Sequence, residues 1–289
     1  MTTKPIVAGT DGSEESLRAV EWAAAEAVAR KAPLRIVSVV EILPRMAART
    51  GVPDIDTVTD VARRNRDRAL AEAAERAAGV APDLVVDTDG LSGAIAHAMT
   101  ESGAGASLLV VGSRGLGAFA AMVLGSVSRY VATHAPCPVV VVRDETAAVH
   151  RQIGVGVGEL DNCAAALAFA FEEAALRDAG LIAVHAWHAP HADRGADAHR
   201  ERAAEPARAA GEELAGVLAS WREKYPRVHV SQDVVHGHPG RVLAGLSARV
   251  DLVVLGRHSP HGGGLRGPAT VTHAVLNHAH GPVVTVPSA

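Results

Sequence analysis

Cysteine is nearly absent from this chain, and aromatic side chains are scarce. The two cysteines among 289 residues, Cys137 and Cys163, fall in different halves and offer no disulfide framework. Phe, Trp and Tyr supply 3% of residues against a hydrophobic fraction of 48%. The core must therefore be built from Ala, Val and Leu, which lets helices sit close to a sheet. No apolar run approaches the roughly 18 residues of a membrane-spanning helix. The opening MTTKPIVAGTDGS breaks at Gly9, too early for the apolar region of a signal peptide. Neither sign of charge dominates: 28 Lys and Arg face 32 Asp and Glu, a net of −4. That balance favours neither nucleic acid nor an anionic membrane as a partner. The expectation is a soluble, cytoplasmic protein. Two phosphate-binding signatures are missing as well. There is no Gly-Lys-Ser/Thr of a P-loop and no G-x-G-x-x-G dinucleotide fingerprint.

What is present is a repeat. The segment 112–143, GSRGLGAFAAMVLGSVSRYVATHAPCPVVVVR, returns without a gap 144 residues later as 256–287. Nine of the 32 paired positions are identical, among them Gly112/Gly256, Val131/Val275, Pro138/Pro282 and Val140/Val284. The chain is one unit used twice, and its 289 residues suit two ordinary domains. We expect domains at 1–144 and 151–289, joined by a polar stretch.

Each half alternates apolar runs with helical spacing. In the first half, strands are expected at 6–9, 34–40, 84–88, 107–111 and 139–143, with helices at 14–31, 57–78, 91–102 and 126–134. Ser13 is a natural N-cap for the first helix. In the second half, strands are expected at 153–157, 181–187, 228–235, 252–255 and 283–286. Its helices are expected to begin near Asp161, Arg200, Pro239 and Thr270. Continuous Val/Leu/Ile runs joined by helices predict an α/β fold with a parallel sheet covered on both faces, doubly wound and five-stranded in each half.

The chemistry concentrates where strand four meets the last helix of the first half. Gly112, two residues, Gly115, nine residues, Gly125 and Ser126 follow a strand and open a helix. Gly112 is read as the turn at the strand end, and Gly115 as a backbone position open to φ above zero and to close approach of an anion. Gly125, Ser126 and Val127 begin the helix, whose free N–H groups and positive dipole end favour a phosphate. Ser126 and Ser128 are read as hydroxyl donors, and Arg114 as either a phosphate clamp or a solvated loop residue. Ligands of open parallel sheets bind outside the carboxyl ends of the strands. That places Thr10 and Asp11, at the end of strand one, in the same crevice.

With these residues the chain resembles the universal stress protein family, in its form with two domains in one polypeptide and in its ATP-binding branch. The family motif G-x2-G-x9-G-S/T is matched in full by Gly112, Gly115, Gly125 and Ser126. The family's first strand runs from a valine into Asp-Gly-Ser, matched by Val7 and Asp11-Gly12-Ser13. The resemblance implies a Rossmann-like sheet of order 3-2-1-4-5 and ATP with Mg²⁺ as ligand. It also implies that Asp11 contacts the nucleoside and that the backbone of Val39 reads adenine. It further implies pairing through the fifth strand. Val139–Val142 and the valine-rich 283–286 would then pair antiparallel within one chain, as a pseudo-dimer that assembles further into a homo-oligomer.

The second half departs from the motif. Gly158 stands at the aspartate position, Ser259 and Ala269 replace two glycines, and Pro260 stiffens the loop, while Thr270 keeps a hydroxyl. Gly262 to Gly264 and Arg266 leave a flexible, partly basic loop, so nucleotide binding there stays open. Histidines cluster in this half: His185, His188, His191, His236, His238, His258 and His261 follow strands two, three and four. A metal could gather there, but His236-Gly237-His238 is also a plain turn, and we assign no metal. The basic run 63–68 is read as a solvated face and Cys137 as a buried, inert thiol. With no Ser/His/Asp set or carboxylate pair in a supporting context, no catalytic residue is assigned. Three functions follow: an ATP-dependent regulator with a protein partner, a scaffold that binds no nucleotide, and a slow ATPase or nucleotidyl transferase.

Overall fold

A computed structural model describes residues 3–41, 55–115, 124–143, 149–158, 163–187, 196–257 and 268–288. The chain divides into two compact units, Met1–Asp144 and Glu145–Ala289.

The first unit runs β1 (Ile6–Gly9), α1 (Glu14–Arg30), β2 (Leu34–Val40), α2 (Ile55–Val80), β3 (Val86–Ser92), α3 (Ile95–Ser102), β4 (Leu108–Gly112), α4 (Ser126–His134) and β5 (Val139–Val142). Its strands are all parallel, in the order β3-β2-β1-β4-β5. β1, β4 and β5 are buried along their whole length, which is why they read as unbroken Val/Leu/Ile runs. α1 turns Leu17, Ala19, Val20, Ala23, Ala24 and Ala27 inward. Small side chains on that face replace the missing aromatics and let the helix lie near the sheet. Ser13 caps it by accepting from the Ser16 N–H, and Lys31 closes it in the left-handed region at φ 52°.

The second unit repeats the plan with β6 (Gln152–Gly156), α5 (Ala164–Leu176), β7 (Gly180–Trp187), α6 (Ala196–Lys224), β8 (Val230–His236), α7 (Pro239–Leu246), β9 (Leu252–Arg257), α8 (Pro268–His278) and β10 (Val283–Pro287). Its parallel order is β8-β7-β6-β9-β10. Here aromatic residues do contribute: Phe171 is fully buried and stacks on Trp221 at 5.6 Å.

The largest departure from the sequence reading is at β3. The sequence predicts the strand at 84–88 and its successor helix from 91. Instead pairing with β2 continues from Leu34↔Val86 to Val40↔Ser92. Leu91 and Ser92 are strand, Gly93 breaks the direction at φ +149°, and α3 starts only at Ile95. As an edge strand with Asp87, Asp89 and Gly90, β3 carries no apolar run to mark it. The basic run on α2 is also not all solvated face. Arg66 donates to the Gly90 carbonyl at 3.1 Å, docking α2 onto that strand. Both thiols are buried, as Cys137 packs where a Cβ on Gly103 would approach its Sγ at 3.0 Å.

Candidate functional site

A cavity of about 330 Å³ opens at the carboxyl ends of β1 and β4, within the size range of small-molecule sites. All ten residues singled out in the sequence line it: Thr10, Asp11, Val39, Gly112, Arg114, Gly115, Gly125, Ser126, Val127 and Ser128. Five others join them: Gly9, Ser16, Ile95, Met99 and Val111. Ile95 and Met99 come from α3, one turn apart. Their spacing marks an apolar helix face, but no local pattern says that α3 crosses over Gly9. The contact is close enough that a Cβ on Gly9 would meet the Met99 thioether at 2.9 Å.

The β1 end is organised by a hydroxyl network. Thr10 continues the ladder, its N–H donating to the Val37 carbonyl at 2.9 Å. Its hydroxyl lies 3.1 Å from that of Ser16 and accepts from the Gly12 N–H at 3.2 Å. Asp11 Oδ1 accepts from both the N–H and the hydroxyl of Ser13, at 3.0 and 2.6 Å. The exposed carboxylate is thereby held over the start of α1. Ser16 lies in the first turn of α1. Its role as the buried centre of this network, with Oγ donating to the Ser13 carbonyl at 2.8 Å, depends on packing that the sequence does not display.

The β4 side explains the glycines differently from the sequence reading. Gly112 is no turn residue but the last residue of β4. A Cβ there would lie 2.8 Å from the Glu15 carbonyl oxygen and 2.9 Å from its carbon, so α1 approaches too closely for any side chain. Gly115 does not adopt a left-handed φ. A Cβ on it would overlap Asp11 Oδ2, so glycine is needed to seat that carboxylate. Gly125 is the N-cap of α4, with φ −67° and ψ 151°, and its N–H donates to the Ser113 carbonyl at 2.8 Å.

α4 begins without a side-chain cap, in contrast to α1. The first intrahelical bond is from the Arg129 N–H to the Gly125 carbonyl at 3.0 Å. The N–H groups of Ser126, Val127 and Ser128 therefore precede the intrahelical ladder, at the positive end of the helix dipole. One assignment changes here. The buried Ser128 hydroxyl donates to the Gly112 carbonyl at 2.6 Å, so its proton latches the helix to β4 and is not offered to a ligand. Ser126 is exposed at the mouth and lines the cavity. Arg114 also lines it, with Nη2 3.7 Å from Glu15 Oε1.

The second unit differs at the places equivalent to Asp11 and to the surroundings of Gly112. Among the described residues nothing lies within 4 Å of a Cβ built on Gly158, where Asp11 stands in the first unit. Among the same residues a Cβ on Gly256 would meet the Ala166 methyl at 3.6 Å, an ordinary contact. His185 Nδ1 lies 2.9 Å from the Val157 carbonyl, and His236 packs on Trp187 at 4.7 Å. No cluster of three potential metal ligands occurs among the described residues. His188, His191, His258, His261, Ser259, Pro260, 262–264 and Arg266 lie outside the described residues.

Twice over, then, the chain forms a doubly wound α/β domain, and in the first copy a glycine loop and an uncapped helix border a crevice at the strand ends. A sequence model of the universal stress protein family matches residues 2–143 and again 150–287. Among curated proteins, universal stress protein Rv2005c of Mycobacterium tuberculosis is 35% identical over 295 residues, covering 96% of this chain and 95% of its own. A universal stress protein of Mycolicibacterium smegmatis is 32% identical, covering 97% and 96%. A crystal structure of a universal stress protein from Archaeoglobus fulgidus superposes with a TM-score of 0.68, covering 99% of this chain and 97% of its own at 16% identity. The chain belongs to the universal stress protein family, with two family domains in tandem. No helix among the described residues is long and apolar enough to cross a membrane.

Proposed function

We propose that the first unit binds ATP, accompanied by Mg²⁺, and that the protein acts in the cytoplasm as a nucleotide-dependent regulator of a protein partner. One observation carries this reading. A single cavity gathers Asp11, Val39, the three motif glycines and the uncapped start of α4. In this reading the base lies against Val39 and the apolar wall of Ile95, Met99 and Val111. The nucleoside faces Asp11. The phosphates take the N–H groups of Ser126, Val127 and Ser128, the Ser126 hydroxyl and Arg114. Mg²⁺ would be held chiefly by the phosphates and water and would neutralise their charge.

Mass spectrometry of nucleotide released from the purified, denatured protein tests the ligand directly. Titration calorimetry tests the asymmetry of the two units. With Gly158 in place of an aspartate, the second unit lacks the nucleoside contact. The expected stoichiometry is about one ATP per chain. Two equivalent sites would overturn the asymmetry.

Gly125→Ala separates ligand contact from folding. The added Cβ would come no nearer than 3.4 Å to the Ser113 oxygen and 3.7 Å to the Arg114 Cα, both ordinary contacts. The N-cap backbone angles are open to alanine. Melting should change little, while ATP binding should weaken about tenfold if phosphate approaches this backbone, as one charge-assisted hydrogen bond is worth about 1.5–3 kcal/mol. Undiminished binding would place the phosphates elsewhere.

A further inference from the structure

We propose that Glu15 sets how strongly the cavity prefers a polyphosphate over a bare nucleoside, by holding Arg114 until a terminal phosphate competes for it. The inference rests on the nucleotide reading above. Glu15 does not line the cavity; Arg114 does, and the two meet at 3.7 Å with side chains 26% and 30% exposed. At that separation the pair is an ion pair without a hydrogen bond, and half-open pairs of this kind contribute little. The contact with Glu15 can therefore be given up at small cost.

The backbone of Glu15 is held in place. Its carbonyl is packed against Gly112, with no room for a Cβ between them. Its neighbour Glu14 is held from α2 by Arg76 Nη2 at 2.8 Å, and Nη1 of the same arginine holds Glu21 at 2.6 Å. The backbone of the first turn of α1 is thus pinned, and it carries the Glu15 carboxylate to 3.7 Å from the Arg114 guanidinium. That carboxylate competes with phosphate for Arg114. The competition grows with the charge of the ligand and vanishes for adenosine. Glu15 is accordingly a positioning residue, acting through Arg114.

The test is calorimetric titration of the full chain with ATP, AMP and adenosine, for wild type, Glu15→Gln, Arg114→Gln and the double variant. Glu15→Gln should tighten ATP by about threefold to tenfold, the scale of one partly screened charge pair, and leave adenosine unchanged. AMP should fall between. Arg114→Gln should weaken ATP alone, and the double variant should match Arg114→Gln. A structural loosening of α1 would instead weaken ATP and adenosine together and leave their ratio unchanged; that result overturns the inference. So does weaker ATP binding by Glu15→Gln that disappears in EDTA, the mark of a carboxylate that holds the metal. So does a gain on the Arg114→Gln background as large as on wild type. If wild type bound neither ATP nor adenosine, the nucleotide reading would fall and Glu15 with it. ATP binding with an unmoved ratio would remove only the role of Glu15.

Discussion

Gly112→Ala should be among the most damaging single-methyl changes in the chain, lowering stability and abolishing nucleotide binding, while Gly256→Ala, at the equivalent place, should be nearly silent. The added carbon at 112 would stand 2.8 and 2.9 Å from the carbonyl of Glu15 and 3.1 Å from the Ser16 nitrogen. These are backbone atoms, and neither side can yield. The α1 turn is fixed by the Ser13 cap, the Thr10–Ser16 contact and the Arg76 clamp. On the other side Gly112 pairs with Val142 in the sheet, and its carbonyl holds the Ser128 hydroxyl. Overpacking against a rigid neighbour costs about 1–3 kcal/mol and sometimes more. For a chain of this size each kcal/mol lowers Tm by roughly 2–4 °C. Either β4 or α1 must shift, and both border the cavity. At 256 the nearest atom among the described residues is a methyl at 3.6 Å, so the same methyl fits. Thermal melts of the two variants, each followed by ATP titration, check this. Equal behaviour of the pair would show that the close approach at Glu15 is not what requires glycine.

The contrast between the two glycines shows what the sequence could and could not reveal. Both stand at the same place in the repeat, at the carboxyl end of the same kind of buried strand. Their alignment identified the strand end, the loop and the helix that follows, because those depend on local patterns of apolar runs and breaks. The distance from α1 to β4 depends instead on the bulk of the residues between them, and no local pattern encodes it. The same limit hid Met99 and Ile95. Their spacing shows a buried face but not that it covers Gly9. It also misassigned Ser128, whose hydroxyl is spent on Gly112. β3 slipped for another reason, since an edge strand reading VDTDGLS has only the isolated Val86 and Leu91 to bury and its extent is set by β2. The family motif nonetheless drew the whole first-unit list to one cavity, because a glycine loop, a helix start and a strand end are local features that the parallel fold brings together by topology alone.

Asp11→Ala and Gly115→Ala should each weaken ATP binding by about tenfold or more, and the double variant should be no worse than the worse single. Asp11 is read as a nucleoside contact, and one hydrogen bond to a charged group is worth about 1.5–3 kcal/mol. Gly115 was first read as a place where an anion nears the backbone. Its surroundings give a second reason for glycine: a Cβ would overlap Asp11 Oδ2 and drive the carboxylate from its position. The two substitutions would then strike the same group, one by deleting it and one by displacing it. Effects that act through one group do not add. If Gly115 instead serves phosphate directly, the losses are independent and their free energies sum. Calorimetry on wild type, both singles and the double closes the cycle. Asp11→Ala also frees the N–H and hydroxyl of Ser13. Its melting point should therefore fall slightly, and Asp11→Asn, which keeps an oxygen for Ser13, should restore it while binding stays weak. Summed losses in the double variant would return Gly115 to the phosphate, and wild-type binding by both singles would move the nucleotide away from β1.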